Sequence, residues 1–321
     1  MYMKNDDFDF EKKKTVPHWI IIFLCIVLLL GSFALLAYYY LYGSQLDMTV
    51  EQPVSTPSVT PILNESGVPV LLDAYFLDVG NGNCVVVQTA DKRTILFDGG
   101  HEDDTEIIES FLKEHEINRF DMVFATSSDN GHIGGLAKLL SAYPTDICYL
   151  TEECSLTENA APLMSVCKLK KIPTEFVRAS FTSIIPWAEN VELRVLSPHD
   201  AEYTDKNDLS IMVHIGYGTS GILLAGDAHK VAERLVVKAF PNKMLKSNVL
   251  LIGDHGDSDA TSSKFLSAVK PKIAVISCGK NNPPSESVLD SLKARGCDVY
   301  LTDIYGNIHI TLDGVSATVI E

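Results

Sequence analysis

A mixed α/β domain carried behind one membrane-spanning helix is the architecture to which this sequence points, on three observations. From Val68 onward, short β-rich runs alternate with segments of helical apolar spacing. Between Asp121 and Gly135 an apolar run, Met122 to Ala125, empties into a polar loop. That loop delivers Asp129 and His132 ahead of a Gly-Gly step into a helix-like run (Leu136, Leu139, Leu140). Strand ends of this kind are where α/β proteins place their chemistry. Upstream, the segment from Trp19 to Leu41 carries no charge and exceeds the ~20 residues that cross a bilayer.

Residues 1–17 form a polar tail that ends in Lys12, Lys13 and Lys14, immediately before the span at 18–42. No further Lys or Arg follows until Lys92, and Tyr38, Tyr39, Tyr40 and Tyr42 suit the far interface. This asymmetry predicts a single-pass protein of the cell membrane, with its amino terminus in the cytoplasm and its main domain outside. A cleaved signal peptide fits less well, because the run is too long and no small-x-small site follows it cleanly. Residues 43–69, rich in Ser, Thr and Pro, read as an extended spacer, and residues 70–321 as the folded domain.

Within that domain, strands are expected at Ala74 to Leu77 and Val85 to Gln88, joined through the turn-rich Asp78-Val-Gly-Asn-Gly-Asn83, and at Thr94 to Phe97. Apolar spacing at Ile107, Ile108, Phe111 and Leu112 predicts a helix over Thr105 to His115. After the Asp129–His132 loop, strands are expected near 147–150, 174–177, 191–196, 210–217, 221–224, 248–252, 273–277, 298–302 and 307–311. Helices are expected at 229–239, 264–269 and 285–295.

With 321 residues, 46% of them hydrophobic, the chain can bury a sizeable core. Its formal net charge is −16, and residues 1–43 balance their own charges, so the excess lies in the remainder. An acidic domain repels phosphate backbones, which disfavours nonspecific nucleic-acid binding. The seven cysteines show no Cys-x-x-Cys pairing. Cys148, Cys154 and Cys167 are close enough in sequence to include one bridge in an exported domain; the alternative is small buried hydrophobes. There is no Gly-x-Ser-x-Gly elbow for a serine hydrolase and no phosphate-cradling Gly-rich loop with Lys-Ser/Thr.

Five segments in order carry a resemblance: Phe76-Leu-Asp-Val-Gly-Asn-Gly-Asn83, Leu96-Phe-Asp-Gly-Gly100, Asn207-Asp-Leu-Ser210 with Leu223-Leu-Ala-Gly-Asp227, Asp254-His-Gly-Asp257, and Pro271-Lys-Ile-Ala-Val-Ile-Ser-Cys-Gly-Lys280. With the His132-Ile-Gly-Gly135 loop, they resemble the extracytoplasmic domain of bacterial ComEC-type competence proteins, in the metallo-β-lactamase superfamily, over roughly residues 73–315. The resemblance implies a four-layer αββα sandwich and a metal-dependent hydrolase ancestry. The superfamily's loop reads Thr-His-x-His-x-Asp-His-x-Gly-Gly. Here Ser127, Asp129 and Gly131 stand at the first three ligand positions, and His132 at the fourth.

Carried over residue by residue, the resemblance implies a candidate ligand set of His132, Asp227 and His255, with Asp129 and Asp254 as oxygen donors where the family places histidines. Two readings stay open. One is a site for a single Zn, Mn or Fe ion that hydrolyses a phosphodiester or related ester; the other is a degraded site with no ion, in a domain that binds an envelope partner. His229 reads as a surface or capping residue, His101 as part of a solvated first turn, and Asp78 and Asp98 as turn-fixing residues. Full-length competence proteins of this type carry many membrane helices, whereas one is expected here, so DNA transport by this chain alone is not predicted.

Overall fold

A computed structural model of the chain describes residues 60–182 and 184–320, together with positions 23, 26, 27 and 29–32, which are helical. Two units separate, Met1–Ser58 and Val59–Glu321. The expected tail at 1–17, most of the span at 18–42 and most of the spacer lie outside the described residues. Among those described, no helix is long and apolar enough to cross a membrane. Residues 60–69 already lie on the domain: the Ile62 N–H donates to the Asp313 carbonyl, the Val70 N–H donates to the Ile62 carbonyl, and Leu63 bridges Pro69.

Two sheets face each other. The first holds β1 (Leu72–Phe76), β2 (Val85–Thr89), β3 (Thr94–Phe97), β4 (Met122–Phe124), β5 (Cys148–Leu150), β6 (Thr174–Phe176), β13 (Ile308–Leu312) and β14 (Ala317–Ile320), in the order β14-β13-β1-β2-β3-β4-β5-β6. The second runs β12 (Asp298–Leu301), β11 (Ile273–Ile276), β10 (Val249–Leu251), β9 (Ser220–Leu224), β8 (Met212–Tyr217), β7 (Val191–Ser197). In each sheet, one half is an antiparallel meander and the other parallel: β3 to β6 in the first, β9 to β12 in the second.

Period-two alternation builds the layers. In β1, Leu72, Ala74 and Phe76 point between the sheets, where they meet Leu193, Val213, Ile222 and Val249, whereas Tyr75 points out beneath the helices. The outer face of the first sheet is covered by α1 (Thr105–Glu114), α3 (Leu136–Ala142) and α5 (Ala161–Lys170) through Ile108, Leu112, Leu139 and Leu163. The second is covered by α6 (Lys230–Ala239), α8 (Ser263–Val269) and α9 (Glu286–Lys293) through Val236, Phe265, Leu266 and Leu292. The result is helix, sheet, sheet, helix, the expected αββα order. Short helices α2 (Asn130–Ile133), α4 (Glu152–Ser155), α7 (Asn242–Leu245) and α10 (Thr302–Tyr305) lie in the connections.

The six described cysteines are free and buried, so no bridge links Cys148, Cys154 and Cys167, and the small-hydrophobe reading holds for them.

Candidate functional site

The site forms where the parallel strands of both sheets end. β3 runs into Asp98, which adopts φ +62° and is 2% exposed. Its Oδ1 accepts the Thr126 N–H at 2.7 Å; its Oδ2 accepts the Thr126 hydroxyl at 2.6 Å and His132 Nδ1 at 2.7 Å. Asp98 therefore ties the end of β3 to the loop after β4, and fixes Nδ1 of His132 as the protonated nitrogen with Nε2 aimed at the cavity. The Gly134-Gly135 step permits the close packing this needs. A Cβ on Gly135 would stand 2.1 Å from the Gly99 carbonyl oxygen.

From the second sheet, β9 delivers Asp227 through Gly226 at φ +57°, where a Cβ would meet Thr126 Oγ1 at 3.2 Å. β10 delivers Asp254 and His255, which occupy the left-handed region in succession, at φ 45° and 52°. For non-glycine residues that conformation costs on the order of 1–3 kcal/mol each and clusters at functional sites. It turns the His255 ring inward. Nδ1 donates to the Ser277 carbonyl at 2.9 Å, which leaves the Nε2 lone pair free, 3.7 Å from Asp227 Oδ1.

His132 Nε2 lies 2.8 Å from Asp227 Oδ1, yet the two are not aligned as a hydrogen bond: both atoms are buried without a hydrogen-bond partner. One donor atom from each of His132, Asp227 and His255 lies within 4.8 Å of the other two. Donors bound tetrahedrally at ~2.1 Å to one ion stand ~3.4 Å apart, close to the 2.8 and 3.7 Å that separate Asp227 Oδ1 from the two ring nitrogens, so these residues fit a single ion. Burial opposes charging of His132, but Asp227 and then Asp98 outweigh it and hold its pKa well above the usual histidine value. Asp227 is likewise buried, and the charge of His132 holds it below the ordinary carboxylate range.

Asp129 and Asp254 line the same cavity, of about 420 Å³, but each is engaged by a cationic or basic side chain of the protein. Asp129 carries the Lys206 ammonium. Asp254 meets His229 Nε2 at 2.7 Å, and Asp205 approaches the other ring nitrogen at 3.3 Å. His229 is the N-cap residue of α6, but its half-buried side chain makes no capping bond and pairs with Asp254, with Asn207 Nδ2 also 3.2 Å from Nε2. His101 begins a solvated acidic turn as read, being the N-cap of Glu102–Asp104 with 40% of its side chain exposed. It is bonded to Asp104, at 3.2 Å from Nδ1, and lines the cavity. Asp98 does fix a turn, and orients His132 as well. The sequence reading missed Lys206 and four lining asparagines (Asn81, Asn130, Asn159, Asn282), since amides and a single lysine in loops carry no spacing signal.

The metallo-β-lactamase superfamily's sequence profile matches residues 77–280. The chain belongs to that superfamily. Members bind metals such as Zn or Fe, and the site above is built on their fold. The chain is 28% identical over 206 residues to ComE operon protein 3 of Bacillus subtilis (strain 168), covering 63% of this chain and 26% of that one. It is 27% identical over 244 residues to Recombination protein 2 of Haemophilus influenzae, covering 73% and 28%. It therefore spans less than a third of the length of these relatives. Among solved structures, Zn(2+)-bound PqqB from Methylobacterium extorquens superposes with a TM-score of 0.50 at 12% identity, over 74% of this chain and 99% of that one. The superfamily fold is metal-dependent and hydrolase-like, and the resemblance to competence proteins stands.

Proposed function

We propose that this metallo-β-lactamase domain keeps one ion position, formed by His132, Asp227 and His255, has given up the second, and acts as a weak hydrolase of a phosphodiester or related ester. The span at 18–42 and its flanking lysines support a domain held outside the membrane. The observation that carries the reading is the pair of buried, unpartnered atoms, His132 Nε2 and Asp227 Oδ1, beside the free His255 nitrogen. A buried ion pair without hydrogen-bond alignment recovers only part of its desolvation cost, and an ion held by both atoms would offset the rest.

Four features support loss of the second position. Ser127 directs its hydroxyl to Asp227. Asp129 is occupied by Lys206, and Asp254 by His229. At Gly131, where the superfamily loop has Asp, a Cβ would stand 2.8 Å from the Asn81 carbonyl oxygen and 3.2 Å from Gly82 Cα, so a carboxylate has no room.

A Zn, Mn or Fe ion bound there would supply Lewis acidity and lower the pKa of a water. The chain's own contribution is orientation. Asp98 and the Ser277 carbonyl each hold one histidine nitrogen, so both rings present the other to the cavity. Asp227 brings the negative charge.

A second reading is favoured by one observation: a protonated His132 between Asp98 and Asp227 balances charge without an ion. The domain would then be silent and bind an envelope partner, with nucleic acid disfavoured by the −16 charge. Metal content of the full-length chain, purified without a metal-binding tag, separates the two. About one equivalent of Zn, Mn or Fe, lost in His132→Ala and Asp227→Asn, is expected for an ion held by these donors. No uptake in excess ion retires the hydrolase reading in favour of the silent one.

A further inference from the structure

Among the residues that line this cavity, Lys206 is the only Lys or Arg. It stands just before the turn at Asn207–Leu209, with its ammonium on the Asp129 carboxylate. Like any lysine beside a carboxylate, it is a cation at neutral pH. The rest of the lining consists largely of carboxylates (Asp129, Asp227, Asp254) and neutral asparagine amides.

An ammonium has three N–H donors. With one of them on Asp129, two remain for a ligand, and the tether limits the side-chain freedom lost on binding. Exposure of 64% leaves the Lys206 side chain accessible from the cavity mouth. The carboxylates of Asp98, Asp129, Asp205, Asp227 and Asp254 outnumber the His132, Lys206 and His229 side chains paired with them, so the site resists added negative charge, while the asparagines donate hydrogen bonds without adding positive charge.

We propose that Lys206 holds the anionic group of a ligand in this site and selects singly charged oxyanions over doubly charged ones. The inference rests on the one-ion reading only for the ligand's second point of attachment. Asp129 acts on the ligand through Lys206, as a positioning residue.

The test uses the full-length chain and two probes, dimethyl phosphate, a monoanion, and methyl phosphate, a dianion above its second pKa of about 6, followed by phosphorus NMR titration at pH 8. The wild type is expected to bind dimethyl phosphate more tightly than methyl phosphate. Lys206→Gln should weaken dimethyl phosphate about 10-fold, the size of one charge-assisted hydrogen bond. Lys206→Arg should stay within about 3-fold. Metal content should be the same in all three. Equal binding by Lys206→Gln, a preference for the dianion, or no binding of either probe by the wild type would overturn the proposal. Failure of the one-ion reading shows up separately, as absent metal. Dimethyl phosphate held through Lys206 in metal-free protein would still support this inference.

Discussion

Asp227 and Asp129 line one cavity, yet their surroundings differ. Asp227 is buried, with an oxygen 2.8 Å from His132 Nε2 but without hydrogen-bond alignment to it, beside two histidines whose far nitrogens are pinned by the protein. Asp129 is about a third exposed and carries a lysine. The first arrangement is costly unless something else fills it; the second is satisfied as it stands. One half of the cavity gathers three donors without hydrogen-bond alignment, and the other is paired from within.

The comparison is sharpest where a carboxylate carries structure as well as chemistry. Asp98 accepts three hydrogen bonds while 2% exposed. Asp98→Ala should cost about 3–5 kcal/mol, because it strands buried donors and removes the counter-charge of His132. Asp129→Ala removes a pair open to water and should cost at most about 1 kcal/mol. Urea unfolding midpoints measure both. Equal costs would break the distinction between the two halves.

Gly131→Asp asks whether the second ion position can be refilled. Its neighbours are the backbone of Asn81 and Gly82, which cannot swing aside as a flexible side chain would. The variant should lose about 1–3 kcal/mol through overpacking, with no gain in bound metal. A stable variant that takes up a second ion would show that the cavity is only dormant on that side.

Much of this was legible in the sequence where the signal is local. The strand at Thr94–Phe97 matches its expected bounds, and the helix at Thr105–Glu114 departs by one residue, because period and turn chemistry lie within those windows. His132, Asp227 and His255 are legible because the motifs that hold them resemble the family's, and the structure brings one donor atom of each within 4.8 Å of the other two. Asp129 and Asp254 read as oxygen donors that help that set. What separates them is Lys206, 77 residues from Asp129, and His229, 25 residues from Asp254, pairings set by tertiary packing alone. The final strand, Ala317–Ile320, was overlooked because it is a half-exposed edge and lacks a buried run.

The smallest effect concerns a histidine outside the site. His214, on β8, has a buried Nε2 without a partner, as His132 does, and packs against Gly221, where a Cβ would stand 3.0 Å from that nitrogen. Glu192, the carboxylate that acts on it, does not outweigh burial. Burial lowers its pKa, and the backbone of Lys246 and the charge of Glu192 only partly offset this, while Arg194 adds to it. The sign follows from proton counting. The unfolded chain takes up a proton on this residue near pH ~6.5, and the folded chain does so only at lower pH. The unfolded state thus binds more protons in that window, so stability falls as pH drops below about 6.5. His132 and His229, whose pKa values are raised, act in the opposite direction. His214→Gln isolates the first contribution: its loss of stability between about pH 7 and 5 should be shallower than that of the wild type. Superimposable profiles would mean that the His214 ring titrates as it does in water, and that a missing partner marks a functional atom only where a carboxylate faces it.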